Sequence, residues 1–355
     1  MYRIESITDK LLNDHYNNYK ATAQQLMLDL KDGKFTIPGE LGRVDKILLT
    51  YQVEKGSPTY LFLDKYSQEE NLRKLLCGTW DELLTIVEEV KTWIPNLEWQ
   101  EKATKGKYEA GLYQTSGPDA DNRVLIDHFN EILNWLFVQQ MYAEHFDKLQ
   151  FIKSLNLKVC PYCGRQQINI AELDGHNVSK PPIDHFLPKF AYPFLAISFR
   201  NLVPCCSVCN ELTNKGIHDP LNPEITLENP YVFDDSHIFF KGTFDSENKN
   251  DANRYDVDMI CNPQALDKGY NKVLKLLPFY QDEKYKIMCM HQNFIRCTET
   301  FVDYLDRLGC ERDYLRDITC LIVGNPLDVN PSQFEYYKFR KDLFLQLLKA
   351  YGFLA

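Results

Sequence analysis

Four cysteines in two closely spaced pairs form the most informative pattern of this 355-residue chain. Cys160 and Cys163 make one C-x-x-C sequence, and Cys206 and Cys209 make the second. Two intervening residues let both thiolates of a pair reach one ion from a tight turn, and two such pairs complete the tetrahedral sulfur site of structural zinc. Cys205 is an alternative ligand, although Cys206 alone gives the two-residue spacing to Cys209. The sequence therefore predicts a closed Zn²⁺ site that fixes the fold and does no chemistry.

Asp184 and His185 are adjacent residues between the two cysteine pairs. Adjacent residues on an extended segment point to opposite sides, so the two side chains can perform different tasks. Carboxylate and amide oxygens are the ligands that Mg²⁺ or Mn²⁺ prefer, so Asp184 together with the asparagines Asn201 and Asn210 predicts a second metal site. A neutral His185 beside such an ion can take a proton from water near pH 7. Together these groups have the chemistry needed to hydrolyse a phosphodiester.

The order D-H-x-x-P, then asparagine, then C-x-x-C-N, inside a double C-x-x-C frame, resembles the HNH endonucleases, which are zinc-supported ββα-metal nucleases. The resemblance covers roughly residues 158–220, under a fifth of the chain. It implies that Asp184 is a metal ligand and that His185 is the general base. It also implies that Asn201 holds the loop and the base through backbone hydrogen bonds, and that Asn210 is a second metal ligand.

Several neighbouring residues are further candidates for the same site. Lys215 ends the motif and is predicted to approach the substrate phosphate, with Lys189 as a second candidate for that contact. Asn214 is a rival of Asn210 as the metal ligand, because Lys215 follows Asn210 by five positions rather than the more usual three. His218 is an additional candidate for a metal or phosphate contact.

Each of these residues also has a purely structural interpretation. Asp184 and Asn210 could cap a turn or a helix, His185 could be a satisfied half-buried histidine, and Asn201 could be a turn residue. At the level of the whole protein, one alternative is a non-catalytic zinc module that binds nucleic acid or a protein partner. A second alternative is an RNase, including a tRNA nuclease, that uses the same motif.

The distribution of charge limits how this protein could meet DNA. The net charge of −10 has the wrong sign for a stand-alone DNA-binding protein. Residues 151–216, however, carry seven basic and four acidic side chains, so the acidic excess lies in the flanks. We therefore expect flanks that either hold a partner or restrain a mildly basic nuclease core.

The sequence contains no ATP-binding P-loop, so any ATP dependence would come from another chain. A nuclease core with large flanks resembles, by analogy, the nuclease subunits of ATPase–nuclease anti-phage systems such as Septu. The analogy implies DNA as the substrate, with RNA as the alternative, and a separate ATPase or regulatory subunit as the partner.

The cysteine content and the hydropathy pattern bear on the compartment. Eleven cysteines and a first segment without a secretory signal favour a reducing compartment, and we expect a cytoplasmic protein. No apolar run approaches 18 residues, so no membrane span is predicted.

The predicted fold is α+β and mostly helical, with a small ββα-metal core and a four-cysteine zinc site between helical N- and C-terminal regions. We predict three regions: 1–150, mainly helical with a short hairpin, 151–220, the nuclease core with its zinc knuckles, and 221–355, a linker and a helical domain. In the N-terminal region we predict a hairpin of strands 46–53 and 59–66, a capping box at Thr79 and Glu82, and a long helix over 122–149. In the nuclease core we predict a strand over 166–173, a strand and turn over 181–189, and a helix from Ser207 to about Asn214. A further strand is predicted over 237–244.

Overall fold

The computed structural model describes residues 1–31, 34–41, 45–94, 125–126, 129–173, 176–323 and 329–352. The fold is α+β and mostly helical, with a few small sheets, as the sequence predicts. The polar segment 98–121, predicted as a loop, lies outside the described residues. None of the helices in the described part of the chain is both long and apolar enough to cross a membrane. The division into three regions stays a prediction.

The α-helices of the described residues follow one another along the chain with π-helical segments between some of them. In chain order they are α1 (Asp9–Lys31), α2 (Pro58–Tyr66), α3 (Glu69–Cys77), α4 (Trp80–Trp93), α5 (Phe129–Leu133), α6 (Lys148–Leu155), α7 (Ser207–Asn210), α8 (Leu276–Gln281), α9 (Lys284–Cys297), α10 (Asp303–Arg307), α11 (Arg312–Val323) and α12 (Tyr337–Ala350). The π-helical segments are Asn134–His145, Lys268–Val273 and Thr298–Val302.

The described strands form four small sheets. They are β1 (Lys34–Leu41), β2 (Asp45–Gln52), β3 (Leu125–Ile126), β4 (Ala171–Leu173), β5 (His176–Ser179), β6 (Ile183–His185), β7 (Leu202–Pro204), β8 (Ile238–Thr243) and β9 (Asp256–Cys261). β1 pairs antiparallel with β2, which pairs in parallel with β3. The pairs β4–β5, β6–β7 and β8–β9 are each antiparallel. The strand β8 confirms the prediction for residues 237–244.

The predicted hairpin of segments 46–53 and 59–66 is wrong in its second half. Residues 59–66 belong to helix α2, and β2 pairs with β1 instead. The cause is visible in the sequence before the helix, where Ser57 accepts a hydrogen bond from the Tyr60 amide and Pro58 occupies the first turn. The capping box of Thr79 and Glu82 at the start of α4 is confirmed.

The secondary structure around the cysteine pairs is shorter than predicted. The strand expected over 166–173 is reduced to β4, and α7 ends at Asn210 because Glu211 is extended. The helix expected over 122–149 is interrupted, since Phe146 is extended and Asp147 then caps the first turn of α6. The described fold therefore contains an antiparallel hairpin and a one-turn helix here rather than a full ββα unit.

The N-terminal helices hold the segment that leads into β7. The Ser198 hydroxyl donates to the carbonyl oxygen of Leu75 at 2.5 Å, and the Arg200 guanidinium donates to that of Cys77 at 2.8 Å. Both carbonyls belong to the last turn of α3, where backbone acceptors lack partners within the helix. The last turn of α3 and the segment before β7 therefore satisfy each other's polar groups.

His15 on α1 makes a second link to the same segment. Its Nε2 lies 2.8 Å from the carbonyl oxygen of Ile197, and its ring packs edge-on against Phe199 and Tyr19. Burial lowers the pKa of His15 to about 4, although the Ile197 carbonyl acts in the opposite direction. The neutral imidazole therefore donates its Nε2 proton to the carbonyl and belongs to the hydrophobic core.

Candidate functional site

The four cysteines predicted to bind zinc lie together and are buried. The sulfur atoms of Cys160, Cys163, Cys206 and Cys209 all lie within 4.8 Å of one another. The neighbouring thiols, Cys160 first, hold the pKa of Cys163 well below its usual range, and the sulfur atoms of Cys163 and Cys206 lie 4.0 Å apart. Four soft sulfur donors with no histidine or carboxylate are the ligand set of structural zinc, so the residues present fit Zn²⁺.

Local backbone geometry explains how both pairs converge. The Gly164 amide donates to the carbonyl oxygen of Cys160 at 2.8 Å, and Gly164 has a φ of +61°, a conformation that favours glycine. In the second pair, Cys206 is the N-cap of α7 and its sulfur accepts from the Cys209 amide at 3.4 Å. Cys205 is also buried but is not a member of the cluster, so Cys206 is the ligand that the geometry favours.

The hairpin β6–β7 carries the predicted acid–base pair. In its register Asp184 lies opposite Val203 and His185 lies opposite Leu202. The two side chains contact different surroundings, as expected for adjacent residues on a strand. Asp184 contacts the cysteine-rich segment, and His185 contacts the segment before β7.

Asp184 is 4% exposed, and both of its carboxylate oxygens have partners. The Tyr162 hydroxyl donates to Oδ2 at 2.6 Å, and the Lys215 ammonium lies 3.3 Å from Oδ1 and 3.1 Å from Oδ2. Burial, and then the charge of Asp184, raise the pKa of Tyr162, so its phenol stays protonated and acts as the donor. Asp184 is therefore an ion-paired carboxylate at the base of the cysteine-rich turn.

Lys215 is fully buried, which differs from the exposed position that a contact with substrate phosphate requires. Its backbone amide donates to the carbonyl oxygen of Cys209 at 3.1 Å, and its ammonium donates to that of His185 at 2.7 Å. A buried ammonium needs a counter-charge, and Asp184 supplies it. As described, Lys215 links the second cysteine pair to the hairpin.

His185 is 7% exposed, and among the described residues its ring makes one hydrogen bond. Its Nε2 lies 3.0 Å from the carbonyl oxygen of Ala196. Because a carbonyl oxygen only accepts, Nε2 carries the proton and Nδ1 is left as an acceptor. Burial, and then the charges of Lys189 and Lys215, lower the pKa of His185 to about 3, so the ring is neutral at neutral pH.

Asn201 is buried and bonds with its side chain to the backbone after β6. Its Oδ1 accepts from the Leu187 amide at 2.7 Å, and its Nδ2 donates to the carbonyl oxygens of Leu187 at 3.1 Å and Leu195 at 3.0 Å. Its own carbonyl accepts from the Phe186 amide at 2.8 Å. One side chain thus ties together the loop that follows His185 and the segment that precedes β7. Its part in activity stays a prediction.

The two asparagines proposed as a second metal ligand differ in their surroundings. Asn210 is half-buried at the end of α7. Asn214 is buried, and its Nδ2 donates to the carbonyl oxygen of Val208 at 2.6 Å, while its Oδ1 has no hydrogen-bond partner among the described residues. In the described part of the chain the hydrogen bonds to the carboxylate of Asp184 come from Tyr162 and Lys215 instead. This arrangement does not fit a bound Mg²⁺ or Mn²⁺, because an ammonium already neutralises the one carboxylate available.

Comparisons with known proteins are sparse. The chain is similar to the Septu protein PtuB of Bacillus thuringiensis, with 31% identity over 97 residues. The matched segment is 26% of this chain and 34% of PtuB, so the chain spans about a third of the length of this relative. No family profile and no solved structure matches the chain. The similarity agrees with the Septu-like link drawn from the sequence and leaves the HNH family unshown.

Three residues of the site were not predicted from the sequence. Tyr162 lies between the first two cysteines, where a polar aromatic residue inside a metal knuckle could have been noticed. Tyr142, whose ring centroid lies 4.5 Å from that of His185, falls within the helix predicted over 122–149 and is not among the predicted site residues. Lys148 lies beside Tyr142 and gave no signal of its own, because the contact depends on the tertiary fold.

Proposed function

We propose that this chain is an HNH-type endonuclease that hydrolyses phosphodiester bonds, with DNA as its substrate, and that it acts as an effector in bacterial anti-phage defence. The observation that carries the proposal is the hairpin β6–β7. It carries Asp184 and His185, Asn201 directly precedes β7, and Tyr162, which lies between the first two cysteines, donates to Asp184. The similarity to a Septu protein supports the defence setting. A separate ATPase or regulatory subunit is the expected partner.

In the proposed reaction, water attacks the phosphorus and Nδ1 of His185 accepts a proton from that water. The hydrogen bond from Nε2 to Ala196 fixes the tautomer and the ring orientation, so the acceptor nitrogen is preset. A base with a pKa of about 3 is weak in the free protein. A phosphodiester anion close to His185 would offset the lysine charges and so raise this pKa. The larger effect, which is burial, would remain and would still hold the pKa down.

The family resemblance implies Mg²⁺ or Mn²⁺ on Asp184 and on Asn210 or Asn214, but the described arrangement of these residues does not fit such an ion. Because Lys215 is paired with Asp184 in the described arrangement, we assign no step of the reaction to an ion. The assay must therefore vary the metal rather than assume it.

The experiment that tests the proposal offers the zinc-loaded protein supercoiled plasmid and total RNA in parallel. Each substrate is incubated with Mg²⁺, with Mn²⁺ and without added divalent ion. Cleavage of plasmid supports the proposed substrate, and cleavage of RNA alone would replace DNA by RNA. Cleavage of neither, with or without a co-purified ATPase, would overturn the proposed activity.

A non-catalytic zinc module is the second candidate, and the buried ion pair between Lys215 and Asp184 favours it. In that case Asp184 would serve only to hold the second cysteine pair against the hairpin. The comparison of wild type with Asp184→Asn, with circular dichroism as the check of folding, separates the candidates. Cleavage by the wild type that is lost in a folded Asp184→Asn protein supports the nuclease, whereas no cleavage by either protein and a change in stability alone supports the binding module.

A further inference from the structure

Two lysines approach the same tyrosine ring beside His185. The ammonium of Lys148 lies 4.6 Å from the centroid of the Tyr142 ring, and that of Lys189 lies 5.2 Å from it. The Tyr142 ring in turn contacts the His185 ring edge-on, with 4.5 Å between centroids. The three residues come from separate segments: the π-helix Asn134–His145, the first residue of α6 and the turn after β6.

Neither ammonium has an acidic partner in the described part of the chain. No carboxylate oxygen there lies within 4.0 Å of Lys148 or Lys189. Asp147 precedes Lys148, but its carboxylate accepts from the Gln150 amide at 2.9 Å and caps α6. Lys153 on the same helix is different, because its ammonium lies 2.5 Å from Glu172. Within the part of the chain that the structure describes, the two lysines therefore form a pair of like charges without a counter-charge.

Both lysines are half-buried, so their charges act on one another through partly desolvated surroundings. Burial, and then the charge of Lys148, lower the pKa of Lys189. Two cations that face one ring and repel each other bind an anion better than either would alone. The aromatic ring contributes by holding the ammonium groups through cation–π contacts.

We propose that Lys148 and Lys189, on either side of Tyr142, bind a backbone phosphate of the nucleic-acid substrate next to His185. We call these three residues the phosphate clamp. The site rests on the proposed nuclease function for its biological meaning, but its ligand chemistry is read from the unpaired charges. It replaces Lys215, which is buried in an ion pair, as the principal contact with substrate phosphate.

The experiment measures binding rather than cleavage. Fluorescence anisotropy of a short labelled DNA duplex, and of single-stranded RNA of the same sequence, is recorded with zinc-loaded full-length protein and no other divalent ion. The dissociation constant is determined over a series of NaCl concentrations. Wild type is compared with Lys148→Gln and Lys189→Gln, with Lys153→Gln as the matched control from the same helix. Circular dichroism and zinc content check that each variant is folded.

Each lysine that neutralises a phosphate releases condensed counterions, so its loss lowers the slope of log Kd against log salt by about 0.9 on a duplex and about 0.7 on a single strand. The electrostatic contribution of one lysine vanishes near 1 M salt, so the slope difference of about 0.9 acts over the tenfold range from 1 M down to 0.1 M. At 0.1 M salt the variant should therefore bind the duplex about eightfold more weakly than wild type. We expect this effect for Lys148→Gln and for Lys189→Gln. We expect Lys153→Gln to behave as wild type, and Lys148→Arg to bind as wild type does.

The outcomes separate this inference from the proposed nuclease activity. Salt slopes unchanged in both clamp variants would overturn the phosphate clamp even if the wild type cleaves plasmid. Reduced slopes in a protein that cleaves nothing would support the clamp and leave only the nuclease proposal refuted. A wild type that binds neither nucleic acid would overturn the clamp. The tighter of the two complexes, with DNA or with RNA, identifies which nucleic-acid backbone the phosphate clamp binds.

Discussion

Replacing Asn201 by aspartate is the sharpest test of how the site is held together. The two side chains have nearly the same shape, so the substitution changes the hydrogen-bonding groups and the charge without creating a cavity. The aspartate can still accept from the Leu187 amide. It cannot donate to the carbonyl oxygens of Leu187 and Leu195, which receive the Asn201 amide protons in the wild type.

The expected loss of stability has two parts, because the Leu195 carbonyl still accepts from the Ser198 amide at 3.1 Å while the Leu187 carbonyl loses its donor. A buried polar group left without its partner costs about 1–3 kcal/mol and a lost hydrogen bond about 0.5–1.5 kcal/mol, so the two together cost about 1.5–4.5 kcal/mol. Asn201 is completely buried, so water cannot replace the lost donors without disturbing the loop. Since domains are stable by about 5–15 kcal/mol, the variant should lose a large fraction of its free energy of unfolding.

Urea unfolding, followed by tryptophan fluorescence, measures this loss. Trp80 is a suitable reporter because its ring packs against that of Phe186 at a centroid distance of 5.3 Å. The pH dependence gives a second signature. Burial raises the pKa of the introduced carboxyl above its value in the unfolded chain. The loss of unfolding free energy is therefore complete above the folded-state pKa, and it shrinks as the pH falls through that pKa.

The control is Asn169→Asp, because Asn169 is exposed and bonds only to Gln167 among the described residues. This variant should stay within about 0.5 kcal/mol of wild type. If Asn201→Asp is as stable as Asn169→Asp near neutral pH, Asn201 does not hold the loop in the way described. A penalty that does not shrink at lower pH would contradict the assignment to a buried carboxylate.

Three further predictions concern the metal cluster, the core histidine and the buried ion pair. Cys163→Ser should lose bound zinc and unfold at a lower urea concentration, whereas Cys205→Ser should keep its zinc. Equal zinc content in the two variants, measured by atomic emission, would refute the four-sulfur site. The pKa of His15 is about 4 in the fold against 6.5 unperturbed, so lowering the pH from about 6.5 to 4 should cost the wild type about 3 kcal/mol that His15→Phe does not lose. Parallel stability curves against pH would contradict that assignment. Lys215→Met should cost about 3–5 kcal/mol by leaving the Asp184 charge buried and unpaired, and adding Asp184→Asn should recover most of it in urea unfolding. An undiminished loss in the double variant would mean that the ion pair is not its cause.

The local parts of the site were predictable from the sequence because they depend on short spacing. The positions of Cys160 and Cys163, and of Cys206 and Cys209, specify two turns whose thiols can share one ion. The capping box at the start of α4 is likewise a three-residue pattern with a fixed geometry.

The parts that were missed depend on contacts between distant residues or on competing local signals. The ion pair of Lys215 with Asp184 spans 31 positions, and no spacing rule foretells that this lysine turns inward. Segment 59–66 alternates polar and apolar residues in places, a pattern that predicts a strand, but Ser57 and Pro58 start a helix there. The phosphate clamp joins three segments whose meeting is decided by tertiary packing.

The measurement that tests the central claim most directly is the initial rate of plasmid cleavage near neutral pH by wild type, His185→Ala and His145→Ala. His145 is the matched control because it is an exposed histidine at the end of the π-helix that carries Tyr142. Removing a general base lowers a rate by about 100- to 10,000-fold, so His185→Ala should fall by that factor while His145→Ala cleaves as wild type does. A His185→Ala protein that cleaves at the wild-type rate would contradict the assignment of His185 as the base.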